Sequence, residues 1–217
     1  MSEFCQDRDL MAVEPVIFTS GGQPGQQLAS GANGAVAGTA FTAAGADFVS
    51  AGVQAGMVLC VWTTTPDEGA AYEITAVVAA TQLTVSVLRA DRAGAAVAPP
   101  AGTGLGYRVV TFAAQIRGAS ATLAEKLRQL AEVAGVSSAD FADSAQLRTA
   151  AALAALAGVF LARASGGLHD DANWTKAEKY ARLALDVRAQ LRLAVDADGD
   201  GRAESTRTLA DITLRRA

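Results

Sequence analysis

The sharpest constraint on this chain is a change of hydrophobic period part-way along it. In "LTVSVLR", Leu83, Val85 and Val87 fall on one face and Thr84 and Ser86 on the other. In "YEITAVV", Tyr72, Ile74, Ala76 and Val78 share a face. Such alternation marks half-buried strands, because successive strand side chains point to opposite sides of a sheet. "MVLCVW" is a short continuous apolar run, preceded by Gly56 and followed by the turn residues Thr63 to Pro66. "AATQ" is short enough for a tight hairpin, and "YRVVTF" closes the set. "DFVSAGVQAG" reads as a turn or short helix. Several short strands in so little chain predict a small barrel or sandwich.

After Phe112 the period becomes helical. Leu123, Leu127 and Leu130 recur at helical spacing, with Thr122 and Glu125 at capping-box spacing and Gly135 as a stop. A longer helix lies within "SSADFADSAQLRTAAALAALAGVFLARA", with Leu153, Leu156 and Phe160 on one face. Ser165, Gly166 and Gly167 end it. A third begins near Asn173, and Trp174, Ala177, Tyr180, Ala181, Ala184, Leu185 and Leu191 track one side of it. Alanine-rich faces let helices approach closely. At the other end, residues 1–18 read as a short helix with Asp7 as its N-cap and Pro15 disfavouring helix at the residue before it. Residues 19–34 read as a Gly/Ser/Gln connector with no apolar period.

The expected fold class is therefore α+β: a helical bundle of three to four helices, an inserted small β-barrel or sandwich, and an extended C-terminal arm. The expected boundaries are 1–26 for the N-terminal helix and linker and 27–112 for the β insert. The helical domain takes 113–204, and the arm takes 205–217.

Composition narrows the function classes. Of 217 residues, 51% are hydrophobic and 18% charged, so a core can be buried. The net charge of −4 supplies no basic field for gripping nucleic acid. No run reaches the roughly 18 apolar residues of a membrane span, and "MSEFCQDRDL" lacks the apolar stretch of a secretory signal. Cys5 and Cys60 are too far apart for a metal spacing and imply no disulfide. A soluble protein made in a reducing cytoplasm is expected.

Catalytic signals are sparse. His169, in "GGLHDDANW", lies beside Asp170 and Asp171 in a Gly-rich loop, where Asp171 or Asn173 is expected to cap the next helix. "GTGLG" contains two glycines of a dinucleotide fingerprint but is not followed by a helix pattern. The adjacent Asp67 and Glu68 read as a solvent-facing turn. No enzyme, cofactor or metal is expected.

"VDADGDGRAE" poses the one metal question. Asp196, Asp198 and Asp200 match positions 1, 3 and 5 of an EF-hand loop, Gly201 matches 6 and Glu204 matches 9. Position 12 needs a bidentate carboxylate and holds Arg207, a cation. Two readings are open: a polar hinge between the last helix and the arm, or a calcium-dependent binding module built on the Asp196-Asp198-Asp200 loop.

The combination of "DRDLMAVEPVIF", "FTAAGADFVSAGVQAGMVL", three Ala/Leu helices and "DADGDGRAESTRTLADITLRRA" resembles the head–tail connector, or neck adaptor, proteins of tailed bacteriophages. The helical part of the resemblance covers about half of the chain. It implies a structural virion protein of the neck, made in the host cytoplasm. Such adaptors form a ring of identical subunits, typically a dodecamer, between the portal protein and the next neck or tail-completion protein. Packaged DNA passes through without sequence-specific binding, and no membrane is involved. The resemblance also implies a C-terminal arm that docks on the portal. Leu209, Ile212 and Leu214 would anchor in a groove, and Arg207, Arg215 and Arg216 would meet an acidic surface. The β insert makes this chain larger than a bare helical adaptor.

Overall fold

The structure is a computed structural model that describes residues 3–20, 25–134, 145–164, 171–195 and 205–208. The chain divides into two compact units, Gln6–Ala113 and Met1–Cys5 with Ala114–Ala217. It is α+β, and the first unit is built on a closed six-stranded antiparallel barrel.

The barrel strands are β1 (Gln26–Ala37), β2 (Ala40–Ala43), β3 (Val58–Trp62), β4 (Ala70–Ala79), β5 (Gln82–Ser86) and β6 (Gly102–Thr111). Their order around the barrel is β1-β2-β5-β4-β3-β6, closing through the β1–β6 pair. Closure leaves no open sheet edge, which removes a template for unwanted strand pairing. Phe41, Phe48 and Tyr107 meet in the core, with ring centroids 5.2 to 6.1 Å apart in tilted and edge-on arrangements. Leu59, Ile74, Leu83, Val85 and Val109 pack around them, fully buried. Each such side chain contributes about 1.5–3 kcal/mol of burial.

β1 replaces the expected loop over residues 26–34. Its glycines are what disguised it. A Cβ on Gly31 would lie 2.8 Å from the Tyr107 ring, and one on Gly34 would lie 2.7 Å from the Phe41 ring. The strand lacks side chains there because aromatic rings from neighbouring strands lie over its backbone. Register shifts at Gln27/Ala29, Gly31/Gly34 and Gly34/Val36 bend it further and erase any simple alternation.

β4 departs from the expected face in its second half. Tyr72 and Ile74 join the core, but a register shift between Ile74 and Ala76 moves the alternation by one residue. Val77 then packs on the core, while Val78 is 58% exposed. β3 reads as a continuous apolar run because both of its faces are covered. Leu59 and Val61 join the barrel core. On the alternate positions, Cys60 donates its thiol to the Phe18 carbonyl at 2.9 Å. β6 starts five residues earlier than the expected "YRVVTF" strand, taking in Gly102 to Gly106.

Two short helices, α1 (Asp7–Val13) and α2 (Val16–Thr19), belong to the barrel unit. The expected cap role of Asp7 falls elsewhere. Gln6 occupies the N-cap position, and the Asp9 carboxylate accepts from its backbone N–H at 2.7 Å. Asp7, one residue inside the helix, is buried and accepts from the Thr111 hydroxyl at 2.7 Å and the Phe112 N–H at 2.8 Å. It ties α1 to the end of β6. Arg108 closes the other end, donating to the carbonyls of Phe18, Thr19 and Ser20 at 2.7 to 3.0 Å.

The second unit holds α3 (Ala113–Ala134, continuous from the end of β6), α4 (Ala145–Arg163), α5 (Ala172–Ala189) and a hairpin of β7 (Arg192–Val195) and β8 (Ser205–Thr208). α3 begins nine residues before Thr122, so the expected capping box lies inside a helix. There the Thr122 hydroxyl donates to the Gly118 carbonyl at 3.0 Å. The N-terminal residues are stitched to this helix: Phe4 N–H donates to Ser120 Oγ at 3.1 Å, and Arg117 pairs with Glu3 at 3.0 Å. α5 starts as expected, with Asp171 accepting from the Asn173 N–H at 2.7 Å. α4 is long and apolar enough to cross a membrane by length and composition, and half of that stretch is buried within the protein, as in a core helix.

Candidate functional site

α4 and α5 pack together through small side chains and one aromatic pair. α4 buries Leu147, Leu153, Leu156, Val159 and Phe160 among its alanines, and α5 buries Ala177 and Tyr180. Phe160 and Tyr180 stack with centroids 5.6 Å apart and planes 11° apart. Lys176 places its ammonium 4.9 Å from the Phe160 ring centre, a cation–π contact that covers the stack from outside.

On another side, α3, α4 and α5 enclose an open groove of about 530 Å³. Gly118 and Ala119 line it from α3, Ala154 and Gly158 from α4, and Ala181 and Ala184 from α5. These side chains are too short to fill the space between three helices. Leu185, 52% exposed, and Arg188 line its α5 wall. Arg188 is the one charged side chain among the described lining residues, and it has no ion pair among them. Chemically the groove suits aliphatic side chains accompanied by one carboxylate.

The densest charge cluster lies in the barrel unit and is structural. Glu73, 2% exposed, accepts from Arg89 at 2.6 Å and pairs with Arg8 at 3.2 Å. Arg8 also donates to the Arg89 carbonyl at 2.6 Å, and Arg92 pairs with Asp9. Burial pulls the Arg8 pKa down, opposed by the Glu73 charge, while the hydrogen bond to Glu73 raises that of Arg89. These groups fasten α1 and the chain after β5 to β4. Among the described residues, no group of three or more His, Cys, Asp or Glu side chains is arranged to hold a metal.

Of the expected arm residues, the described structure includes Arg207, which sits in β8 opposite Leu193 of β7. Leu209, Ile212, Leu214, Arg215 and Arg216 lie outside the described residues, as do His169 and Asp170. Asp196, Asp198, Asp200, Gly201 and Glu204 also lie outside them, between the two paired strands. Residues 205–208, expected as the start of the arm, pair with residues 192–195 as a two-stranded sheet. An EF-hand loop is flanked by helices, whereas the aspartate segment is flanked by strands.

The groove itself was not foreseen, although its signal is in the sequence. Ala150, Ala154 and Gly158 recur every four residues, and Ala181, Ala184 and Leu185 follow the same face of α5. The groove also needs the matching stripe on α3, which only packing brings alongside. No family model, no curated protein and no solved structure matches this chain.

Proposed function

We propose that the protein is a structural component of a tailed-bacteriophage neck, an adaptor that assembles as a ring below the portal. The observation that carries this reading is the open groove, which leaves an apolar three-helix face available to another protein surface. The resemblance of "DRDLMAVEPVIF", "FTAAGADFVSAGVQAGMVL" and the C-terminal segment to neck adaptors names the kind of assembly. In this reading the helical unit forms the ring wall as a bundle, typically in a dodecamer, and the barrel unit is the decorating insert. Arg207 in β8 and the segment beyond it, with Leu209, Ile212, Leu214, Arg215 and Arg216, meet the portal. The next neck or tail-completion protein joins below, and DNA passes through the ring in the virion.

The test is assembly. Mixed with its portal, the protein is expected to form a complex of ring size by multi-angle light scattering and a ring beneath the portal by electron microscopy. Removing residues 209–217 is expected to abolish that complex while the circular dichroism spectrum stays unchanged. A protein that stays monomeric beside its portal would sink the reading.

A further inference from the structure

The groove face of α5 is complementary to itself when reversed. Glu178, Ala181, Leu185 and Arg188 follow one another at spacings of three, four and three residues, which puts them in one stripe along the helix. Ala181, Leu185 and Arg188 line the groove, and Glu178 continues their stripe toward the start of the helix. Glu178, Ala181 and Leu185 are exposed. Neither Glu178 nor Arg188 has an ion pair among the described residues. The two charges stand about 15 Å apart along the helix axis, at roughly 1.5 Å per residue.

Turned end over end, the order acid, small, large, base becomes base, large, small, acid. Two copies of the stripe laid antiparallel therefore set Glu178 against the partner subunit's Arg188 and Leu185 against the partner subunit's Ala181. The reverse pairs form by symmetry. Every contact joins opposite charges or a large side chain with a small one, which is the self-complementarity that a two-fold interface requires. The neighbouring helices leave room for it. Gly118 and Ala119 on α3 and Gly158 on α4 keep the walls beside the stripe low, and a Cβ on Gly118 would meet nothing within 4 Å. The apolar contact supplies the affinity, and the charged ends fix the register.

We infer that the free protein is a two-fold dimer joined through the α3–α4–α5 groove. The α5 helices run antiparallel, Leu185 of each copy sits over Ala181 of the other, and a Glu178–Arg188 pair closes each end. This goes beyond the neck reading and does not rest on it. A closed ring is joined by head-to-tail contacts, so the two-fold contact belongs to the chain before assembly, when it keeps the apolar face out of water.

The test is the mass of the full chain by sedimentation velocity over a range of concentrations. The heaviest species is expected at twice the chain mass of 22.0 kDa. Glu178→Arg and Arg188→Glu are each expected to weaken the dimer about ten-fold, because each sets like charges together at both ends. Mixing the two variants is expected to restore a dimer with one chain of each, since both ends then pair again. Carrying both changes in one chain is expected to restore it too. A residue that only supported the fold would not be rescued by mixing. A monomer at every concentration, single variants that dimerise like the parent, or a mixture no tighter than its components would overturn the proposal. So would growth past the dimer, since a two-fold contact closes on itself. Thermal melts identify any variant that is unfolded. If a charge variant is among them, Leu185→Asp carries the test, expected folded and monomeric, and a dimer as tight as the parent's would overturn the proposal. The portal complex is measured separately, so either reading can fail while the other stands.

Discussion

Glu73 is a buried carboxylate paired with two arginines, Arg8 and Arg89. Removing one partner of a buried charge set leaves the others uncompensated, which typically costs about 3–5 kcal/mol. Glu73→Gln is expected to lower the stability of the barrel unit by about 3 kcal/mol, read as a shift in the urea midpoint of that unit's transition at unchanged slope. Cys60 makes a second prediction at this scale. Its thiol is buried, and desolvation pushes its pKa from 9.0 up to about 12, against the lowering effect of Arg108. The folded state thus keeps the proton where the unfolded state releases it. Stability from this group is present below about pH 9 and falls by about 1.4 kcal/mol per pH unit between pH 9 and 12. Tyr72 and Tyr107 are also shifted up by burial, so the measurement is a difference. Cys60→Ala should show a shallower loss of stability across that window than the unaltered protein in chemical denaturation. An identical slope would show that Cys60 does not titrate in this way.

At the level of elements, β1 depends on what its glycines lack. The Phe41 ring occupies the space where a side chain at Gly34 would stand. Overpacking of this kind costs about 1–3 kcal/mol. Gly34→Ala is expected to destabilise the protein by that amount, and Phe41→Leu in the same chain to recover part of it, giving a non-additive double-mutant cycle by urea denaturation. Additive losses would mean that the ring is not the obstacle. The β7–β8 hairpin carries a different prediction. If the segment it brackets binds calcium, isothermal titration should give sub-millimolar binding that Asp198→Ala abolishes. The expected outcome is no heat of binding, because Arg207 stands where the EF-hand needs a carboxylate and lies in a paired strand.

At the scale of the whole molecule, two units with separate cores share one chain, joined between Cys5 and Gln6 and again where β6 runs into α3. Their cores differ in kind: aromatic rings and branched aliphatics in the barrel, alanines with one aromatic stack between α4 and α5. Independent cores predict separable unfolding. Glu73→Gln should lower the transition of the barrel unit and leave that of the helical unit in place, as two calorimetric transitions. A single transition shifted as a whole would show instead that the units unfold together.

Much of this organisation was legible in the sequence, because it rests on local periods. Leu83 and Val85 alternate with polar neighbours and form a strand; Asp171 precedes an apolar helical stripe and caps it; the break after Phe112 separates β from α. Those features depend on residues close together in the chain, where backbone geometry alone dictates which side chains share a face. Tertiary structure decided the rest. β1 is a strand through its pairing with β2 and β6, and the rings of Tyr107 and Phe41 stand where side chains at Gly31 and Gly34 would be. Val77 replaced Val78 on the core face because a bulge shifted the ladder. Asp7 turned from cap to tie because Thr111 and Phe112, about a hundred residues away, supplied its donors. The groove exists because three stripes of small residues converge. The tie made by Asp7, the ring over Gly31 and the groove depend on partners remote in sequence, and the bulge in β4 depends on strand pairing; a local hydrophobic period carries no information about either.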